Sequence, residues 1–69
     1  MTDATYRIIE ITGSSPESVQ RAIDNGVARA NATLRNLDWL EVLQIRGQLD
    51  EGKVAHYQVT MKIGFRMED

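Results

Sequence analysis

The sequence contains no cysteine and a single histidine among its 69 residues. Disulfide bonds and thiolate zinc sites are therefore excluded, and a structural metal site is not expected. A domain of this length buries only about 60% of the surface that its unfolded chain exposes, which leaves a lone monomer marginally stable. Since small domains without disulfides or metals usually gain stability from partner subunits, we expect a homo-oligomer.

An excess of positive charge and long apolar runs are also missing. Eight basic residues against ten acidic ones give a net charge of −2, a poor electrostatic basis for binding nucleic acid. No apolar stretch approaches the roughly 18 residues of a membrane span. The N-terminal residues lack the basic and apolar regions of a signal peptide. We therefore expect one cytoplasmic domain over residues 1–69 that binds neither nucleic acid nor membrane.

The first half of the chain has the pattern of a strand followed by a helix. Residues 5–12 are rich in β-branched side chains and predict a strand, after which the chain turns. Ser15 suits the helix N-cap and Pro16 the first helical position, with Ser14 as the competing cap. The helix is predicted to end near Asn36. Its apolar positions form one stripe, at Val19, Ala22, Ile23, Val27, Ala30, Leu34 and Leu37.

The second half predicts two strands joined by a tight turn. Residues 39–49 form the first of these strands, and Asp50–Glu51–Gly52 form the turn. Residues 53–67 form the other, in which apolar and polar side chains alternate from His56 onward. The fold class is therefore α+β, in the order β-α-β-β, with one helix packed on one face of a three-stranded antiparallel sheet. The last strand would span roughly 47 Å, so its end is expected to contact another subunit.

Residues for acid–base or nucleophilic catalysis are scarce. Ser14 and Ser15 lack the glycines of a nucleophile elbow, and helix capping explains them better. His56 falls on the polar face of the last strand, where a solvated or interfacial side chain is expected. We therefore predict a protein that is not an enzyme and has no catalytic residues.

Trp39 is the sole tryptophan and lies where the predicted helix gives way to the second strand. If Leu40 and Val42 face the helix, Trp39 points to the other side of the sheet. Two interpretations are open for this side chain. It is buried in a core or subunit interface, or it offers a stacking surface for a flat ligand.

Three polar side chains on the predicted strands are candidate ligand contacts. Gln58 is either a solvated strand residue or a group that pairs with a donor and an acceptor on one ring edge. Arg46 and Arg66 could hold phosphate in fork geometry, or form salt bridges across strands or between subunits.

Seven short segments, in a fixed order along the chain, form a recognisable set: Tyr6–Ile11, Gly13–Ser15, Leu37–Trp39, Glu41–Val42, Ile45–Gly47, Tyr57–Val59 and Gly64–Glu68. In these segments the sequence resembles the bacterial dodecins, and the resemblance covers nearly the whole chain. Leu40 is a departure, since many bacterial relatives carry an aromatic residue at that position.

The resemblance implies a hollow homo-dodecamer of β-α-β-β protomers that binds flavins in pairs between symmetry-related Trp39 side chains. It implies that Gln58 contacts the flavin ring edge, and that Arg46 and Arg66 contribute to the architecture and affinity of the flavin site. The implied ligand is FMN, or riboflavin or FAD, and some members also carry coenzyme A. The implied function is flavin storage, sequestration and quenching, and the alternative is a carrier or scaffold assembly for coenzyme A or another small molecule.

Overall fold

The computed structural model describes residues 3–68, so residues 1–2 and 69 of the predicted domain lie outside the described residues. The chain forms three strands and one helix in the order predicted from the sequence, which confirms the α+β class. The elements are β1 (Tyr6–Ser15), α1 (Val19–Thr33), β2 (Leu37–Asp50) and β3 (Lys53–Arg66).

β3 is the central strand of the sheet, and β1 and β2 pair with it antiparallel on either side. The alternation predicted for β3 decides which face is buried. Val59, Met61 and Ile63 face α1 and form the core together with Ala22 and Ala30 of the helix. The side of the sheet away from α1, here called the open face, carries the alternate β3 residues Gln58, Thr60, Lys62, Gly64 and Arg66.

The helix N-cap differs from the prediction. Ser18 is the cap, since its hydroxyl accepts a hydrogen bond of 3.0 Å from the backbone N–H of Arg21. Neither Ser14 nor Ser15 caps the helix. The Ser15 hydroxyl instead accepts a 3.0 Å hydrogen bond from the backbone N–H of Glu17, which organises the connection ahead of the helix.

The first strand is longer than predicted, and this displaces the helix start. β1 continues past Thr12 to Ser15 because β3 still offers a pairing partner there, at Tyr57. The segment predicted as a turn is therefore strand. Pro16, which has no N–H to donate to the ladder, lies in the connection and not at the first helical position.

The helix ends three residues earlier than predicted. Leu34 already has an extended backbone, and its N–H still reaches the Ala30 carbonyl at 3.0 Å. Asn36 has a positive φ of 61°, a conformation that asparagine tolerates better than most residues. Among residues 3–68, no helix has the length and apolar character needed to cross a membrane.

The turn predicted at Asp50–Glu51–Gly52 is confirmed as a two-residue hairpin loop. Asp50 pairs with Lys53, which leaves Glu51 and Gly52 between the strands. Both have positive φ, 49° and 78°, as a type I′ turn requires. The turn joins β2 and β3 into a long hairpin.

The described chain is extended. Its radius of gyration is 14.3 Å, whereas a compact domain of this length has about 11 Å. Its accessible surface is 5273 Å², against about 4,400 Å² for a folded monomer of this mass. α1 covers β1 and β3, while Leu40, Val42 and Ile45, on the helix side of β2, remain 39%, 39% and 56% exposed. One chain therefore leaves apolar sheet surface uncovered.

Candidate functional site

Trp39 points away from the helix, as the sequence predicts. Leu40 pairs with Ile63 and Val42 with Met61, so both lie on the helix side. Trp39 pairs with Gly64 and projects from the open face. It is 39% exposed, so within one chain the indole is a surface group and not part of the core.

Two neighbours on the open face determine the surroundings of the Trp39 indole. The ring lies against the bare Cα of Gly64, which sits opposite it on β3. The Tyr6 ring from β1 lies beside it, with ring centroids 6.5 Å apart and planes inclined at 51°. Such tilted aromatic contacts are favourable. Three strands thus contribute to one aromatic surface.

The Tyr6 phenol also has charged neighbours. Hydrogen bonding to the Asp38 carboxylate and the negative charge of that group raise the pKa of Tyr6, and the positive charge of Arg66 acts in the opposite direction. A tyrosine phenol is protonated at neutral pH even at its ordinary pKa, and the raised pKa moves its ionisation further from neutrality, so the phenol remains a hydrogen-bond donor. Arg66, a predicted site residue, lies at this end of the sheet with Trp39.

Gln58 and Arg46 form a second group. They are paired across β2 and β3, and the Arg46 Nε donates a 2.9 Å hydrogen bond to the Gln58 Oε1. This contact leaves the Gln58 Nε2 free to donate to a ligand. Among residues 3–68, Arg46 forms no salt bridge across strands, and its contact with Gln58 uses only the Nε. The ion pair among the described residues joins Arg21 to Glu17, at 3.9 Å.

The predicted site residues are not brought together within one chain. Trp39 lies opposite Gly64 and Arg46 opposite Gln58, six residues away along β3. Six strand residues correspond to about 20 Å. Trp39 and Arg66 therefore lie at one end of the open face, whereas Gln58 and Arg46 lie near the middle of β3.

The cavity beside Trp39 is small. It has a volume of about 160 Å³ and a largely apolar wall that includes Val27 of α1, Leu40 and Ile63, so it lies toward the helix side of the sheet. Pockets for drug-sized ligands have about 300–1,000 Å³. A larger cleft of about 670 Å³ is open to solvent between residues 3–5 and 66–68, and Arg66 but not Trp39 lines it. Neither cavity covers the indole on the open face, so a flat ligand stacked on Trp39 needs a second surface to enclose it.

Sequence reasoning missed three residues that contact or adjoin the indole: Tyr6, Asp38 and Gly64. Gly64 could have been found, since counting back from the Asp50–Lys53 pair places it opposite Trp39. Tyr6 reaches Trp39 only through the pairing of β1 with β3, for which the sequence carries no local signal.

Comparison with known proteins gives consistent results. A family model described as Dodecin matches residues 5–68. The protein named Dodecin from Thermus thermophilus is 47% identical over 64 residues, which are 93% of this chain and 93% of that protein.

Two solved structures are similar over the full fold. Dodecin from Streptomyces davaonensis has a TM-score of 0.94 and 56% identity, and the match covers 99% of this chain and 100% of that one. Dodecin from Streptomyces coelicolor has a TM-score of 0.95 and 54% identity, and the match covers 100% and 99%.

Proposed function

Because the chain belongs to the dodecin family, we propose that it stores and sequesters flavins by stacking them in pairs between Trp39 side chains of symmetry-related copies. Dodecins are small binding proteins and not enzymes, and flavin binding is typical of them. The observation that carries the proposal is the indole of Trp39, which is 39% exposed on the open face and lies against Gly64 of the neighbouring strand. FMN is the proposed ligand, and riboflavin and FAD share its ring system.

The distance between the two groups of site residues supports a site built from several copies. A three-ring flavin is too short to lie on Trp39 and reach Gln58 of the same chain, about 20 Å away. We therefore expect Gln58 of another copy to contact the polar edge of the flavin ring. The Gln58 Nε2 donates to a ring acceptor, while Arg46 holds the amide oxygen. Arg66, near the indole, contributes positive charge at the other end of the ligand.

Quenching follows from the chemistry of the indole. A bound flavin supplies a light-absorbing aromatic ring. Trp39 supplies an electron-rich indole in contact with that ring, and the Asp38 carboxylate raises the pKa of the neighbouring Tyr6 phenol still further above neutrality. The site thereby combines a flat stacking surface with polar groups at its rim, which suits holding a ligand and returning it unchanged.

The first prediction concerns assembly and loading. We expect light scattering at low micromolar concentration to give a mass of twelve times the 7.8 kDa of one chain. The reasons are the extended shape of one chain and its uncovered apolar strip on β2, and the family supplies the number twelve.

Because each pair of flavins lies between two Trp39 side chains, we expect the absorbance of bound flavin to give one FMN per chain. A folded monomer or dimer would contradict the assembly, and binding of coenzyme A without FMN would favour the carrier alternative.

The second prediction concerns Gln58. Gln58→Ala should weaken FMN binding by about 1–3 kcal/mol, the usual effect of leaving a buried hydrogen-bonding group unpaired. Isothermal titration measures it. Gln48→Ala is the matched control, since Gln48 is also a strand glutamine and pairs with His56 further along the sheet. An affinity for FMN that stays within about twofold in Gln58→Ala would show that Gln58 is only a strand residue.

A further inference from the structure

Gly64 occupies the interior of β3, where glycine weakens a strand and therefore needs a reason. Its backbone conformation is not that reason. Among the described residues, Gly52 is the glycine that has a positive φ, and it lies in the hairpin loop. The requirement at Gly64 is for space.

The atoms that occupy this space belong to Trp39. A methyl group added at Gly64 would overlap the Cε2 and Cζ2 atoms of the indole and lie 2.8 Å from its Cδ2. All three nearest atoms are thus from one side chain. Gly47, the strand glycine on β2, is different, because a methyl there would be 3.4 Å from the Val54 Cγ1, an ordinary contact.

We propose that Gly64 is a positioning residue for the ligand site, since its missing side chain lets the Trp39 indole lie flat against the open face of the sheet. An aromatic side chain that covers a glycine on the neighbouring strand is a known way of compensating for that glycine. Gly64 sets the inclination of the indole, and Tyr6, with its ring centroid 6.5 Å away, limits its sideways position.

The inclination of the indole matters because stacking requires parallel planes at van der Waals distance. With a methyl at position 64, the ring must tilt or lift from the sheet. It would then face a bound flavin at an angle and occupy space that the flavin needs. This consequence rests on the proposed function, whereas the contact between Gly64 and Trp39 does not.

The test begins on the assembled protein without ligand, in which Trp39 is the sole tryptophan. We expect Gly64→Ala to change the near-ultraviolet circular dichroism and the emission maximum of Trp39, while Gly47→Ala leaves both unchanged. We then expect FMN affinity to fall at least tenfold in Gly64→Ala and to change less than twofold in Gly47→Ala. Unaltered Trp39 signals in Gly64→Ala would overturn the inference, whatever the FMN result.

A double variant covers the case in which Gly64→Ala does not assemble. In a Trp39→Ala background the indole is gone, so Gly64→Ala should assemble with the size and unfolding midpoint of Trp39→Ala alone. If the double variant also fails, something other than the indole excludes the methyl, and the inference is wrong. If the unmodified protein binds no flavin, the proposed function fails, but altered Trp39 signals in Gly64→Ala would still support the positioning role.

Discussion

Trp39→Ala is expected to leave the assembly intact and to remove tight flavin binding. Trp39 is exposed on the open face, so its truncation opens no cavity among the core residues Val59, Met61 and Ile63. Stacking on an aromatic side chain is worth about 1–3 kcal/mol for each ring. Since a flavin pair loses its indole on both sides, the two losses compound.

Two measurements decide this prediction for Trp39→Ala. Light scattering reports the size of the assembly, and FMN titration reports the affinity. A core role for Trp39 would give the opposite pattern, with a loss of about 3–5 kcal/mol in the free energy of unfolding and a broken assembly. That pattern would contradict the placement of Trp39 as a stacking surface.

Gly13→Ala is expected to damage the fold more than any other alanine substitution discussed for this chain. A methyl at Gly13 would overlap the carbonyl oxygen of Ala22 and lie 3.2 Å from the backbone nitrogen of Gly26. Backbone atoms of α1 cannot rotate aside as a side chain can. Overpacking typically costs about 1–3 kcal/mol and occasionally more, and we expect the upper end of this range or beyond.

Gly26→Ala is the matched control for Gly13→Ala, because it lies at the same contact on the helix side. Its nearest neighbour would be the flexible end of Met61, with Cε at 3.0 Å, and alanine gains about 1 kcal/mol of helix propensity over glycine. Urea unfolding at a fixed protein concentration compares the two, since the stability of an oligomer depends on concentration. Equal midpoints for Gly13→Ala and the unmodified protein would show that α1 packs less closely on β1.

The parts of the fold that follow local patterns could be predicted from the sequence. The alternation in β3 determines which residues face the helix, and the Asp50–Gly52 turn determines how β2 meets β3. These two features alone predict that Trp39 lies on the open face. The side-chain chemistry of Trp39 and Gln58 makes both residues candidate ligand contacts, and both lie on this face.

The parts that depend on pairing between distant segments could not be predicted. Ser14, Ser15 and Ser18 all suit a helix cap, and Ser18 is the cap because β1 continues along β3 to Ser15.

The β-bulges could not be predicted from the sequence either. Ala55 is skipped in the β2–β3 register, so Arg46 lies opposite Gln58 and not opposite Tyr57, as counting from the turn would give.

The same bulges determine which site residues can be paired correctly by counting along the strands from the turn. Ala55 is skipped on β3 and Leu43 on β2, and the two shifts offset each other before Trp39. Counting from the turn therefore gives the correct partner for Trp39 but not for Arg46. The separation of about 20 Å between Trp39 and Gln58 therefore follows from the turn, whereas the pairing of Arg46 with Gln58 follows only from the bulged register.

Flavin emission during titration of FMN into the unmodified protein and into Trp39→Phe tests the central claim most directly. Phenylalanine keeps an aromatic ring in contact with the ligand, but phenyl is a far poorer electron donor than indole. We expect FMN emission to be strongly quenched by the unmodified protein and to recover in Trp39→Phe, with both proteins of the same size by light scattering. Equally deep quenching by an intact Trp39→Phe assembly would show that Trp39 is not the quencher and would contradict the account.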